Sequence, residues 1–315
     1  MSSKPEWRPS ASNDALRLRA QILARIRSFF DARGVIEVET PALGHATVTD
    51  PFIHSIRAGE GFLQTSPEFA MKRLVASGSG PIFQICKAFR AEESGARHNP
   101  EFTMLEWYRP GLDHHDLMDE VELLLTEVVG ADAGERHSYE AVFRQHVGAN
   151  PHRADAAQLA QRGRDLGLVV EARSGLSRED WLNLLMARVI EPHLGQRGPT
   201  FIFDYPVNLA ALARIRPGDP PVAERFEVYF RGTELANGYH ELTDAREQRE
   251  RFDRDNEIRR ELGYDEVVPD ERLLSALEEG MPATAGVALG VDRLVMIAAT
   301  ARSLGDVLSF PYDRA

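Results

Sequence analysis

An α+β fold, with a mostly antiparallel sheet flanked by helices, is the architecture this sequence predicts. Amphipathic helical patterns alternate along it with short apolar runs bounded by turn residues. Two of those runs, residues 224–230 and 233–242, flank Arg231-Gly232 as a hairpin candidate. With 43% hydrophobic residues in 315 and no low-complexity tract, the chain can bury a sizeable core.

The first helix is expected over residues 13–33, with Leu18, Ile22, Ile26 and Phe29 or Phe30 on one face. Ser12 or Asn13 can cap its start and Gly34 its end. Residues 35–38 read as a short strand before Thr40-Pro41, and residues 61–64 as extended. Ser66-Pro67-Glu68 opens a helix through Met71, Leu74 and Val75, with Ser66 as N-cap and Pro67 at the first helical position. Residues 81–88 are strand-like, and 89–108 form a strand–loop–strand. Leu117, Val121, Leu124, Leu125 and Val128 mark a helix over 112–129. Residues 149–198 alternate helical stretches with Gly and Pro breaks, as an inserted helical region within one domain spanning 1–315. Strand character resumes at 201–205, and Arg216-Pro-Gly-Asp-Pro-Pro221 is a loop. A charged helix covers 245–262, and a glycine-rich strand and helix begin at Gly286.

Bulk properties exclude several classes. No apolar run approaches the roughly 20 residues that span a bilayer, and the N-terminus lacks the apolar segment of a signal peptide. Cys86, the single cysteine, reads as a buried small hydrophobe rather than half of a disulfide. A cytoplasmic enzyme is expected. The net charge of −12, with lysine only at positions 4, 72 and 87, argues against nucleic acid as the main partner.

The densest chemistry lies in FRAEESGARHNPEFTMLEWY, residues 89–108. Arg can grip phosphate through a bidentate fork, and an aromatic ring can stack on a base. Taken alone, Arg90 and Glu92 fit a surface ion pair equally well, and His98 a solvated loop histidine. Glu227 and Glu234 flank the hairpin turn, where hard oxygen donors suit Mg²⁺ but exposed acids are also common. Glu68, Glu106, Tyr108, Asn237, Tyr239 and Glu241 combine acids with aromatics, a composition suited to a substrate carrying two ammonium groups. Glu68 has an alternative reading as an acid favoured in a helix's first turn.

Three segments in order resemble the motifs of class II aminoacyl-tRNA synthetases, and most closely those of the lysyl-tRNA synthetases. They are RGVIEVETPAL at 33–43, the segment at 89–108, and GVALGVDRL at 286–294, joined by RFEVYFRGTELANGYHEL at 225–242. The resemblance implies ATP and Mg²⁺ as cofactors. It places Arg90 on the α-phosphate, Glu92 on the adenine amine, Phe102 on the purine ring, and Arg293 against its other face and the γ-phosphate. Arg97 and His98 would reach the outer phosphates, and Asn99 would face the nucleotide. Leu235 and Gly290 join this ATP set, and Glu227 and Glu234 become the metal ligands. Ser66, Pro67, Glu68, Glu106, Tyr108, Asn237, Tyr239, Glu241 and Ala288 fall in the lysine-binding set. The first motif implies a homodimer.

Two departures refine this. The first motif's helix begins near residue 13, leaving no room for the anticodon-binding domain that precedes the catalytic core in lysyl-tRNA synthetases. That architecture, with WRPSAS and ATVTD, is similar to the bacterial elongation factor P lysine ligase family, whose members transfer lysine, preferably (R)-β-lysine, to a lysine of elongation factor P. In that reading tRNA is not a partner. A truncated synthetase charging tRNA and a silent regulatory paralogue are the alternatives. Ala288 stands where lysyl-tRNA synthetases usually have Gly, and its methyl group is expected to disfavour α-lysine. Ala91, where many relatives carry Asn, receives no role.

Overall fold

In a computed structural model, residues 7–91, 93–169 and 175–315 are described. The chain divides into two compact units, one formed by residues 1–112, 127–129 and 243–315, the other by 113–126 and 130–242.

The first unit opens with α1 (Asn13–Asp31), whose N-cap Ser12 accepts a hydrogen bond from the Ala15 amide. It buries Ile22, Ile26, Phe29 and Phe30 of the stripe expected from 3.6-residue periodicity, while Leu18 is only half-buried. Gly34 follows at φ +65°, a left-handed conformation that suits glycine and turns the chain into β1 (Ile36–Glu37). A small three-stranded sheet of β2 (Leu43–Gly44), β3 (Arg57–Ala58) and β4 (Gly61–Leu63) precedes α2 (Glu68–Ala76). This helix starts one residue later than expected, with Pro67 rather than Ser66 at the cap position. Ser66 Oγ nevertheless accepts from the Glu68 amide at 3.0 Å, so the hydroxyl still serves the helix start. Next come β5 (Ile82–Phe89) and β6 (Glu101–Pro110), paired antiparallel.

The second unit begins with residues 113–126, which hold most of α3 (His114–Val129), a helix entered through a capping box between Asp113 and Asp116 and closed by Gly130 at φ +69°. Then follow β7 (Glu135–Ser138), α4 (Tyr139–His146), α5 (Ala156–Asp165) and α6 (Arg178–Leu185). The helical region thus starts before residue 149, because Ser138 caps α4 directly after a strand that carries no strong sequence signal. Tyr139, Phe143, Leu159, Trp181 and Leu185 build its core. The sheet of this unit runs β11 (Glu234–His240), β10 (Val222–Tyr229), β8 (Thr200–Pro206), β7, with β9 (Ile215–Arg216) on β10. The β10–β11 turn is Arg231-Gly232, both at positive φ (52° and 64°), the two-residue geometry that matches strand twist.

The first unit resumes with α7 (Ala245–Glu261), α8 (Glu271–Gly280), β12 (Thr284–Gly290) and α9 (Val291–Ala298). Its main sheet is ordered β1, β5, β6, β12, parallel between β1 and β5 and antiparallel otherwise. One face is core: Phe83, Leu105, Trp107, Val287 and Leu289 are buried, and Phe30 of α1 stacks on Phe83 at 4.4 Å between ring centres. The other face carries the chemistry. No helix among the described residues is long and apolar enough to cross a membrane.

Candidate functional site

Alternation along β6 sends Phe102, Met104, Glu106 and Tyr108 to the face opposite Leu105 and Trp107. Register sets Gln84 and Ala288 on either side of Glu106, and Gly286 beside Tyr108. The β12 positions on this face are Thr284, Gly286, Ala288 and Gly290, and the ones nearest Glu106 are small, so small residues border the acidic centre. Glu106 is buried, and its carboxylate accepts from Ser66 Oγ at 2.8 Å and Tyr108 Oη at 2.7 Å. A carboxylate held by two hydroxyls is aimed, a suitable receptor for an ammonium group. Glu68 has a partner that sequence reasoning missed: the buried Lys72 ammonium donates to its Oε1 at 2.7 Å. The i, i+4 spacing was its only signal.

The nucleotide candidates of this unit gather at the ends of β5 and β6. The Arg90 guanidinium lies 5.1 Å from the centre of the Phe102 ring and within 3.5 Å of Glu93. Glu92 lies outside the described residues. Arg293 Nη2 meets His98 Nε2 at 2.8 Å, and its Nε donates to the Arg97 carbonyl at 3.4 Å, which ties the loop to α9. Loss of hydration first, and then the Arg293 charge, lower the His98 pKa, so the ring is neutral and can accept from the guanidinium. Asn99 is committed to the backbone: its Nδ2 donates to the Glu101 carbonyl at 2.6 Å and its Oδ1 accepts from the Tyr312 amide at 2.9 Å. Its amide therefore braces the loop against the C-terminal segment. Asp292 also went unread. Buried beside Arg293, it accepts from Arg19 at 2.5 Å and from the Thr103 amide at 2.7 Å, anchoring the start of α9. Cys86, half-buried rather than fully buried, shares the Glu106 face, and burial, then the Glu106 charge, push its thiol up to about 12, so it stays protonated.

The second unit holds the remaining candidates. Its turn sets Glu234 opposite Tyr229, on the face of Glu227. Strict alternation would then send Ala236, Gly238 and His240 to that face. A bulge at Leu235 shifts the register, so Asn237 stands opposite Glu227 and Tyr239 opposite Arg225. Glu234, Asn237 and Tyr239 thereby share one face with Glu227, although their numbers differ in parity. Glu227 is buried, with Oε1 accepting from Arg225 Nη2 at 2.5 Å and Oε2 from the Tyr229 hydroxyl. Asn237 Nδ2 donates to Tyr239 Oη at 2.9 Å. Glu241 is buried just beyond β11, where it bridges to Ala213. Leu235 is itself buried as the extra residue. The hard oxygens of Glu227 and Glu234 on one face are a donor set that fits Mg²⁺, which takes only one or two carboxylates from protein.

Residues 6–314 match the family described as tRNA synthetases class II (D, K and N). The chain is 50% identical to the elongation factor P--(R)-beta-lysine ligase of Edwardsiella ictaluri (strain 93-146), with all of both chains covered. It has the same identity and coverage with the proteins of that name from Pectobacterium carotovorum subsp. carotovorum (strain PC1) and Salmonella paratyphi B.

Proposed function

The chain belongs to the family of tRNA synthetases class II (D, K and N), and from this we propose that it is an ATP-dependent ligase that activates (R)-β-lysine or lysine and transfers it to elongation factor P. The observation that carries the substrate assignment is Glu106, held by Ser66 and Tyr108 on a face bordered by Gly286 and Ala288. A buried, aimed carboxylate with small neighbours suits an aliphatic ammonium chain.

In this reading the substrate carboxylate attacks the α-phosphorus of ATP and pyrophosphate leaves. The nucleophile is already anionic, so no general base is required. Arg90 holds the α-phosphate, Phe102 supports the purine, and Arg293, Arg97 and His98 meet the outer phosphates. Glu106 and Tyr108 position the amine, with Asn237, Tyr239 and Glu241 assigned to the same substrate. Glu227 and Glu234 hold Mg²⁺, which when bound neutralises phosphate charge. The ε-amine of the acceptor lysine then attacks the acyl carbonyl, the amide C–N bond forms, and AMP and a proton are released.

The test is to incubate the protein with ATP and labelled (R)-β-lysine or α-lysine, offering elongation factor P in one reaction and bulk tRNA in another. Label on the factor is the expected result. Label on tRNA would make the chain a synthetase, and absence of pyrophosphate release would make it a silent paralogue.

A further inference from the structure

The second unit contains a polar cluster that the proposed ligase chemistry does not use. Glu224 and His240 extend the β10–β11 register as opposite neighbours, on the face away from Glu227 and Asn237. His114, the first residue of α3, meets them there. One donor atom from each of the three residues lies within 4.8 Å of the other two, and all three are buried. His240 Nδ1 is 2.9 Å from Glu224 Oε2.

These atoms are poorly served by the protein. Both ring nitrogens of His114 and Oδ1 of Asp204 are buried without a hydrogen-bond partner among the described residues, and Nδ1 of His240 and Oε2 of Glu224 have only their mutual contact and Arg214, none of them well aligned. Buried polar groups are overwhelmingly paired, so such orphans gathered in one place call for a ligand. Asp204 Oδ1 stands 3.8 Å from His114 Nε2, beyond a hydrogen bond but placed to orient the ring. Arg214 Nε is 3.0 Å from Glu224 Oε2, and Arg216 Nη2 is 2.6 Å from Asp204 Oδ2. The two arginines balance the two acids, and the lone pair of the His114 imidazole remains without a use in the protein.

We propose that His114, Glu224 and His240 form a binding site for a transition-metal ion of the zinc class. Two imidazoles and one carboxylate are a donor set suited to Zn²⁺ and poorly suited to Mg²⁺ or Ca²⁺, which prefer oxygen throughout. Ligand atoms around zinc lie about 2.0–2.2 Å from the ion, so loading draws the three side chains inward by small rotations. The bound ion would pin the first turn of α3 to the ends of β10 and β11, and Asp204 would hold the His114 tautomer. It is a structural clamp, on the reverse face of the hairpin from the proposed magnesium ligands.

The test uses the full chain, stripped with a chelator and titrated with Zn²⁺ alone, then with Co²⁺ alone. One equivalent of Zn²⁺ should bind, and Zn²⁺ at tenfold its Kd should raise the Tm by about 2–4 °C. Co²⁺ should give the visible absorption bands of a low-coordinate site containing nitrogen. His114→Ala should abolish both effects, and Glu224→Gln, which preserves shape, should weaken binding by more than about tenfold. His146→Ala, which alters the stacked His146–His193 pair, should leave binding unchanged. Failure of the stripped protein to take up Zn²⁺ would overturn the site. So would uptake unaffected by Glu224→Gln, or lost in His146→Ala.

Discussion

Strands β5, β6 and β12 form an unbroken ladder, whereas the β10–β11 hairpin reaches its arrangement through a bulge. On the ladder every second residue faces the chemistry, so Phe102, Glu106 and Tyr108 follow from parity alone. On the hairpin Glu234 is even-numbered and Asn237 and Tyr239 are odd, and only the extra residue at Leu235 lets them share a face with Glu227. The carboxylates differ too. Glu106 is aimed by the hydroxyls of Ser66 and Tyr108, while Glu227 is gripped by a buried guanidinium. A regular ladder suits a substrate subsite that must be shaped by side-chain size, and a bulge suits a place where unlike functions are brought together.

Deleting Leu235 and Ala236 together strikes at the difference most directly. Asn237 would then follow Glu234 and stand opposite Val228, turning Asn237 and Tyr239 away from Glu227, and ATP–pyrophosphate exchange should vanish. Exchange at the parental rate would show that the shared face is dispensable. Asp292→Ala tests the support beneath the ladder. Leaving Arg19 without its buried partner should cost about 3–5 kcal/mol of stability, read from urea unfolding, and an undiminished midpoint would refute the anchoring role. Arg90→Ala should lower kcat for adenylation by about 10²–10³-fold while the fold, followed by circular dichroism, stays intact. Equal loss of activity and stability would mean that Arg90 is structural.

Tyr108→Phe removes one of the hydroxyls aiming Glu106. It should weaken the lysine-like substrate by about 0.5–1.5 kcal/mol, raising its KM several-fold and leaving the KM for ATP unmoved. A change confined to ATP would contradict the assignment. Ala288→Gly, directly opposite Glu106 in the register, is the smallest change. It should shift the preference between (R)-β-lysine and α-lysine toward the α-isomer by about tenfold, the scale of one methyl group in a packed pocket. An unchanged ratio of kcat/KM values would remove Ala288 from specificity.

Much of this was legible before any coordinates. Periodicity located α1 and its buried stripe, turn chemistry located the Arg231-Gly232 hairpin, and the strand–loop–strand at 89–108 emerged with its alternation intact. These are local properties, dictated by backbone sterics and the period of side-chain direction. The pairing of Glu68 with Lys72, the bracing of Asn99 against Tyr312, and the anchoring of Asp292 by Arg19 were not read. The last two join residues more than 200 positions apart, and no local period encodes such distances.

What the sequence determined by itself was the inventory: which side chains could hold phosphate, ammonium or metal, and on which kind of element each sits. What only the tertiary structure decided was register and company. A one-residue bulge chooses the face of every side chain beyond it, because strand faces alternate with a period of two. Burial then decides which charges must find partners, since an unpaired group away from water is costly wherever the chain happens to bring it.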